Sequence, residues 1–359
     1  MKLYPTSRYT MVGTYPDSYT MTGLLSPDQM DANLHRHKRL TGSLPAFAIT
    51  MAFQFDTPAF KLPFDQMEVM DNRGVVPWVI LWPYGNGPQG GGCLEQINYG
   101  EFDDVFRERA RELHDWSYGG RRAYMLQFCT EVSLYSYPWA AANNGGWGMT
   151  GRVDGQRWPI GCAEFIHAHR RVWHFFDAAG CDVTWNHQTF PEILGNNLNH
   201  PSWYYPGRRY VDWLGVPLWV DRDRLAPFGT FEDSMALSLH QANEITDAAD
   251  LPLYLEVVSQ ESRTDPQFKS DFFRDVFTRS LGFERVARNG CAIGYWDAFT
   301  VMEETEITAA GSRPKLTPRI SSITASVPAQ MGIDSSPASL AAYREGVSGD
   351  WYTSRARLV

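Results

Sequence analysis

Phe165-Ile166-His167-Ala168-His169-Arg170-Arg171-Val172-Trp173-His174-Phe175-Phe176-Asp177-Ala178-Ala179-Gly180-Cys181-Asp182-Val183-Thr184-Trp185 joins a helix signal to a strand signal. Across Ala163–Ala179 the residues Phe165, Ile166, Val172, Trp173, Phe175 and Phe176 fall at helical spacing and make an apolar face. Gly180 stops that run, as glycine does just past a helix end. Asp182–Trp185 then reads as a short buried strand.

The same alternation extends in both directions. Strands are expected at Met11–Tyr15, Ala46–Phe53, Val76–Trp82, Ala123–Cys129, Asp182–Trp185, Asp212–Val216, Pro252–Glu256 and Cys291–Trp296. They are short, apolar on both faces and rich in β-branched or aromatic residues, as buried parallel strands are. Between them, Ser26-Pro27-Asp28-Gln29 offers an N-cap, a proline at the first helical position and a capping-box glutamine. Phe102–Trp116 places Phe102, Val105, Phe106 and Leu113 on one face, and Gln267–Leu281 does the same with Phe268, Phe272, Val276 and Phe277. Ser336-Pro337 caps a final helix to about Glu345, after an irregular Ser, Thr, Ala and Pro-rich loop at about 303–335.

Eight strands alternating with helices in 359 residues predict an α/β fold, a single-domain (β/α)8 TIM barrel spanning residues 1–359. A doubly wound open sheet is the alternative. It calls for a glycine-rich nucleotide turn after the first strand, and Val12-Gly13-Thr14-Tyr15-Pro16 offers none. Asn86-Gly87-Pro88-Gln89-Gly90-Gly91-Gly92 follows the third strand without Lys-Ser/Thr, and reads as a flexible loop over the cleft.

Hydrophobic residues make up 43% of the chain and charged residues 20%, the balance of a soluble protein with a sizeable core. The net charge of −9 argues against nucleic acid as the main partner, since phosphate binding needs a basic surface. It is compatible with a neutral polysaccharide or oligosaccharide. Cys93, Cys129, Cys162, Cys181 and Cys291 show no CxxC spacing and indicate neither a zinc site nor a full disulfide framework. No cofactor and no metal is expected. Met1-Lys2-Leu3-Tyr4-Pro5 lacks the apolar stretch of a signal peptide, leaving an intracellular protein or a secreted one whose signal was removed. No run approaches the ~20 apolar residues that span a bilayer, and a monomer is expected.

Glu131 closes the run Tyr124–Thr130, and Glu256 closes Pro252–Leu255. A carboxylate at the carboxyl end of a buried strand is costly to desolvate without a partner. In a barrel, that end is where chemistry is done, so the two suggest an acid and a nucleophile sharing one cleft. Structural pairing with Arg or Lys is the competing reading, and Glu192, Glu261 and Asp297 are competing carboxylates. His187 and Gln188 leave the fifth strand at the active face, whereas His167 and His169, two apart on a helix, point apart rather than converge on a metal. Trp82 and Tyr84 end the third strand, Trp139 and Trp147 follow the fourth, and Trp219 follows the sixth. Such rings can stack against the C–H faces of sugars.

From about Phe102 to Trp296 the chain resembles glycoside hydrolase family 26, in the clan of retaining (β/α)8 hydrolases. The stretch Phe165–Trp185 is similar to that family's helix and fifth strand. Trp203-Tyr204-Tyr205-Pro206-Gly207, running into Val211-Asp212-Trp213-Leu214-Gly215, resembles its Tyr-Tyr-Pro-Gly and Val-Asp-Trp-Val-Gly segments. The resemblance implies that Glu131 is the acid/base and Glu256 the nucleophile, and that Trp296 floors the subsite where the sugar is cleaved. Departures stand beside it. Thr130 replaces the histidine before the acid/base, Val132-Ser133-Leu134 replace Met-Asn-Gly, and Gln127 replaces an arginine. The tyrosine after the sixth strand that can bond the nucleophile is replaced near Pro217-Leu218-Trp219. The implied function is a retaining endo-acting β-glycoside hydrolase using two glutamates, with mannan specificity left open. The alternatives are a degenerate barrel that binds polysaccharide without cleaving it, and a barrel lyase or transglycosylase.

Overall fold

A computed structural model describes residues 2–4, 10–16, 19–20, 23–53, 61–83, 93–134, 137–190, 200–220, 230–259, 261–262, 264–297 and 332–353. Eight parallel strands close into a barrel: β1 (Thr10–Pro16), β2 (Phe47–Phe53), β3 (Val76–Trp82), β4 (Met125–Phe128), β5 (Thr184–Gln188), β6 (Trp213–Val220), β7 (Leu253–Ser259) and β8 (Cys291–Asp297). They pair in sequence order, and β8 returns to β1 with Val12 opposite Ile293 and Tyr15 opposite Trp296. The short pair Tyr352–Thr353 adds to the start of β1. The expected (β/α)8 architecture is the one observed.

Around the barrel lie α1 (Pro27–Thr41), α2 (Phe64–Asn72), α3 (Cys93–Tyr99), α4 (Asp103–Trp116), α5 (Ile160–Ala178), α6 (Phe231–Glu244), α7 (Phe268–Arg279), α8 (Glu284–Asn289) and α9 (Pro337–Val347). α1 starts with the expected capping box: Ser26 Oγ accepts from Gln29 N while Gln29 Oε1 accepts from Ser26 N. α5 ends before Gly180, whose φ of 74° is the left-handed conformation that a glycine adopts without strain. The helices α2, α3, α6 and α8 lie beyond the expected set. In α6 the signal is present in the sequence: Thr230 caps Asp233 N, and Phe231, Met235, Leu239 and Ala242 are buried along one face.

Three strands run three or more residues past their expected ends, β5 doing so from Trp185 to Gln188. β6 continues through Pro217 to Val220, although proline has no N–H for a ladder bond; the Pro217 carbonyl accepts from Ser238 Oγ on α6 at 2.6 Å. β7 passes Glu256 to Ser259, because Val257 and Val258 keep the β-branched run going. Glu256 therefore sits mid-strand, opposite Pro217 on one side and Gly294 on the other, rather than at a strand end.

The floor of the barrel is apolar and aromatic. Trp78 lies 4.2 Å from Tyr254 and 5.4 Å from Phe47, ring centroid to centroid, with Met11, Ile49, Met125 and Trp213 in the same cluster. Leu3 closes the amino-terminal end: its N–H donates to Thr184 Oγ1 at 2.7 Å and its carbonyl accepts from Trp213 Nε1 at 2.9 Å. With that end plugged, polar groups collect toward the opposite mouth. Gly215 makes room for them, since a Cβ there would stand 2.9 Å from Asn186 Nδ2 and 3.1 Å from Gln188 Cβ. Among the described residues no helix is long and apolar enough to cross a membrane. Residues 84–92, with Tyr84 and the Asn86–Gly92 loop, lie outside the described residues, as do Glu192 and most of the 303–335 loop.

Candidate active site

β4 stops at Phe128 and the chain turns sharply, with positive φ at Cys129 (62°) and Glu131 (45°). Non-glycine residues pay of the order of 1–3 kcal/mol each for that conformation, so the surrounding contacts must enforce it. Four bonds do so. Cys129 N donates to Leu81 O at 2.9 Å, Val132 N to Gln188 O at 3.3 Å, Leu134 N to Glu131 O at 2.8 Å and Trp139 Nε1 to Thr130 O at 2.8 Å. The turn is thereby clamped to β3, β5 and its own continuation.

Glu131 leaves this turn beside an aromatic wall. Tyr137 Oη lies 2.9 Å from Glu131 Oε2, and the Tyr137 ring stacks on Trp139 at 4.6 Å with 10° between planes. Trp82 meets both rings edge-on, at 5.5 and 5.3 Å. Burial pushes the Glu131 carboxyl above the usual range, against the opposing hydrogen bond from Tyr137.

Glu256 is 5% exposed. Its carboxyl is pushed up by burial first and by the charge of Glu131 second, with the Gln188 hydrogen bond opposing both. Glu256 on β7 thus feels the charge of Glu131, on the turn after β4, across the mouth. Together they hold a proton into the neutral range, because both cannot ionise cheaply in one dry site.

A chain of amides leads to Glu256. Asn186 Nδ2 donates to Gln127 Oε1 at 2.6 Å, and Gln127 Nε2 donates to Gln188 Oε1 at 2.7 Å. Thr130 Oγ1 also donates to Gln188 Oε1, and Gln188 Nε2 donates to Glu256 Oε2. With its carbonyl occupied by two donors, Gln188 turns its N–H toward the carboxylate. Of the residues singled out from sequence, Glu131, Glu256, Gln188, Thr130 and Trp82 come together here. Gln127, Asn186 and Tyr137 join them. Asn186 carried a signal that went unused: it is two residues from Gln188 on one strand and so shares its face.

The same alternation corrects His187. Expected at the active face, it points outward, fully buried between barrel and helix, with Phe165, His169 and Tyr205 rings about 6 Å away. Trp139 was expected to offer a ring to a ligand, but it is fully buried, braced under Tyr137. Trp219 is half-buried beside Phe190 at 6.2 Å. Trp296 lies in β8, with its side chain outside the described residues. Asp297 is ion-paired to Arg36 at 2.8 Å and accepts from Ile333 N at 2.9 Å, and Glu261 accepts from Ser335 and Ser339, so both serve as struts. Among the described residues no group of three or more His, Cys, Asp or Glu side chains could hold a metal ion.

No family model and no curated protein matches this sequence. Solved structures do. The catalytic domain of a Bacillus sp. JAMB-750 endo-β-1,4-mannanase of glycoside hydrolase family 26 superposes with a TM-score of 0.63 at 13% identity, over 98% of this chain and 93% of that one. A modular endo-β-1,4-mannanase from Cellulomonas fimi gives 0.59 at 14% identity, over 97% and 72%. The Bacillus subtilis mannanase BCman gives 0.54 at 14%, over 81% of each chain. What this chain shares with these proteins at such identities is the (β/α)8 fold.

Proposed function

We propose that the protein is a retaining, endo-acting β-glycoside hydrolase, a divergent relative of family 26, with Glu131 as acid/base and Glu256 as nucleophile. The observation that carries this reading is a buried Glu256 and a half-buried Glu131, both raised by desolvation and the first also by the charge of the second, at the mouth of a barrel shared with endo-β-1,4-mannanases. Retention uses carboxyls about 5–5.5 Å apart, one attacking the anomeric carbon and the other protonating the leaving oxygen. The hydrogen-bond partners support which is which. The Gln188 N–H turned toward Glu256 favours its ionised form. Tyr137 Oη beside Glu131 is a hydroxyl that donates to a carboxylate or accepts from a carboxylic acid, so it tolerates both states that an acid/base must visit.

In the first step Glu256 bonds to the anomeric carbon as the glycosidic C–O bond breaks, and the Glu131 proton goes to the departing oxygen. Esterification removes the charge that helped hold that proton, so Glu131, now a carboxylate, takes one from the incoming water. Water releases the sugar with its configuration retained and Glu256 free. Among the described residues Trp82 and Trp219 offer half-buried rings to pyranose faces, and β-1,4-mannan is the first substrate to try, beside mixed-linkage glucan and xylan.

One observation favours a second reading, a barrel that binds polysaccharide without cutting it: Thr130 stands before Glu131 and its hydroxyl is committed to Gln188. Reducing ends released from a polysaccharide panel decide between them. Glu256→Gln should lower kcat by about 10³-fold or more. Glu131→Gln should cost about 10²–10⁴-fold on natural linkages and much less on glycosides whose leaving group needs no proton. Binding with no product from any of these polymers, unaffected by either substitution, would sink the hydrolase.

A further inference from the structure

On the outer flank of the barrel, α3, α5 and residues 143–145 line a half-open cavity of about 1130 Å³ whose lining includes neither glutamate. Ligand pockets are commonly about 300–1,000 Å³, so this one has room for several sugar rings. Tyr99 and Tyr210 line it, and Tyr99 is 77% exposed at the end of α3. Amides stand around the rings: Asn98, Asn143 and Asn144.

The electrostatics narrow the ligand. Arg170 and Arg171 face the cavity, which by themselves would suggest an anion. Both are already neutralised, Arg170 by two bonds to Asp154 at 2.8 Å and Arg171 by two to Asp103 at 2.6 and 2.8 Å. Glu95 and Glu164 add negative charge to the same lining. Among the described lining residues an anion would meet two further carboxylates and no unpaired arginine, whereas a neutral polyol would meet aromatic faces and fixed hydrogen-bonding groups. We propose that this groove is a second carbohydrate site, holding a neutral β-linked glycan chain outside the cleft. The choice of ligand rests on the hydrolase reading. The site also touches the catalytic turn: Asn143 Nδ2 donates to Tyr137 O and Asn144 Nδ2 to Pro138 O, each at 2.7 Å. A glycan seated against these side chains would brace the bend that carries Tyr137 against Glu131.

Hydrogen exchange read peptide by peptide tests this, using full-length Glu256→Gln protein with mannohexaose, cellohexaose and xylohexaose. Protection of 93–99 and 141–145 by one of them, lost several-fold in Tyr99→Ala while protection of 125–134 and 253–259 persists, supports the site. Protection confined to the barrel-mouth peptides overturns it and leaves the hydrolase reading standing. Protection of 93–99 by inorganic phosphate and by no hexasaccharide also overturns it. In wild-type background, Tyr99→Ala should leave kcat on a short soluble oligosaccharide unchanged and weaken retention in a polysaccharide-containing native gel. Equal retention of both proteins counts against the site.

Discussion

The two faces of β5 carry polar residues in alternation, and the barrel treats them in opposite ways. Inward, Asn186 and Gln188 belong to an amide chain that ends on Glu256. Outward, His187 is fully buried and among the described residues neither ring nitrogen has a hydrogen-bond partner. A buried polar group without a partner costs about 1–3 kcal/mol, so the outward histidine is a liability that packing tolerates. The inward amides carry a lesser cost of the same kind at Asn186 Oδ1, which has no partner among the described residues, and the remainder become expensive only if the chain is broken. Adjacent in sequence and apart in function, these three residues show that polarity in a strand marks a site only on the face that converges with other polar side chains.

The two faces also have opposite pH signs. Glu131 and Glu256 have folded pKa values above the ordinary 4.5, so the folded state holds protons that the unfolded chain releases. Their contribution is fully present below about 4.5 and is lost as pH rises through the folded values. Buried histidines run the other way. His187 is held well below its ordinary value by burial, and His169 and His37 are brought to about 3 and about 4. Below about 6.5 the unfolded chain takes up protons that these folded imidazoles refuse, so stability falls with acid.

The largest expected effect of breaking the inward face is on Gln188. Gln188→Leu removes the donor to Glu256 and strands the Gln127 and Thr130 donors, and kcat should fall about 10–100-fold, equivalent to about 1.4–2.8 kcal/mol. Because that hydrogen bond lowers the Glu256 pKa, the acid limb of the kcat/KM profile should move to higher pH. The direction of the shift matters. Were the three amides all reversed, Gln188 would accept from a protonated Glu256, and its removal would move the limb downward. An unchanged limb would leave Gln188 with no hold on the nucleophile.

Next in size is a gain in stability. Glu256→Gln removes the charge that the barrel resists, so at pH 8 the variant should unfold at a temperature a few degrees above wild type, with the gap closing near pH 5. Calorimetry at the two pH values checks it. A variant less stable than wild type at pH 8 would mean that the carboxylate is better solvated than its 5% exposure implies.

The barrel was legible because its evidence is repetitive: eight short apolar runs, a capping box at Ser26, a glycine stop at Gly180. Each is local and survives whatever the rest of the chain does. β6 was read short because Pro217 is a local signal that tertiary structure overrode through Ser238. Glu131 and Glu256 were visible as carboxyls beside strand-like runs, and Gln188 as a residue leaving β5. What escaped was direction. His187 and Gln188 are neighbours, and only the period of two, counted from the inward Asn186, separates a residue on the cleft from one packed against α5. Trp139 misled for a different reason. After a strand ends, no periodicity tells which ring of Tyr137-Pro138-Trp139 faces the opening, and the turn at Glu131, with its positive φ, leaves that choice to the Thr130 carbonyl.

The smallest effect, and the sharpest test of the contrast, belongs to the outward face. His187→Leu is close to volume-conserving and replaces an unpartnered imidazole with an apolar side chain. Such a swap is nearly neutral or stabilising when no partner is left behind. At pH 7 unfolding in urea should therefore differ from wild type by less than about 1 kcal/mol, with kcat unchanged, since the side chain lies on the far side of β5 from Glu256. Below pH 6.5 the variant should gain on wild type by about 1.4 kcal/mol per pH unit, because one fewer histidine must stay neutral in the fold. An identical pH slope in the two proteins would show that His187 takes up its proton while folded. The outward face would then have a polar partner of its own, and the contrast between the two sides of β5 would fail.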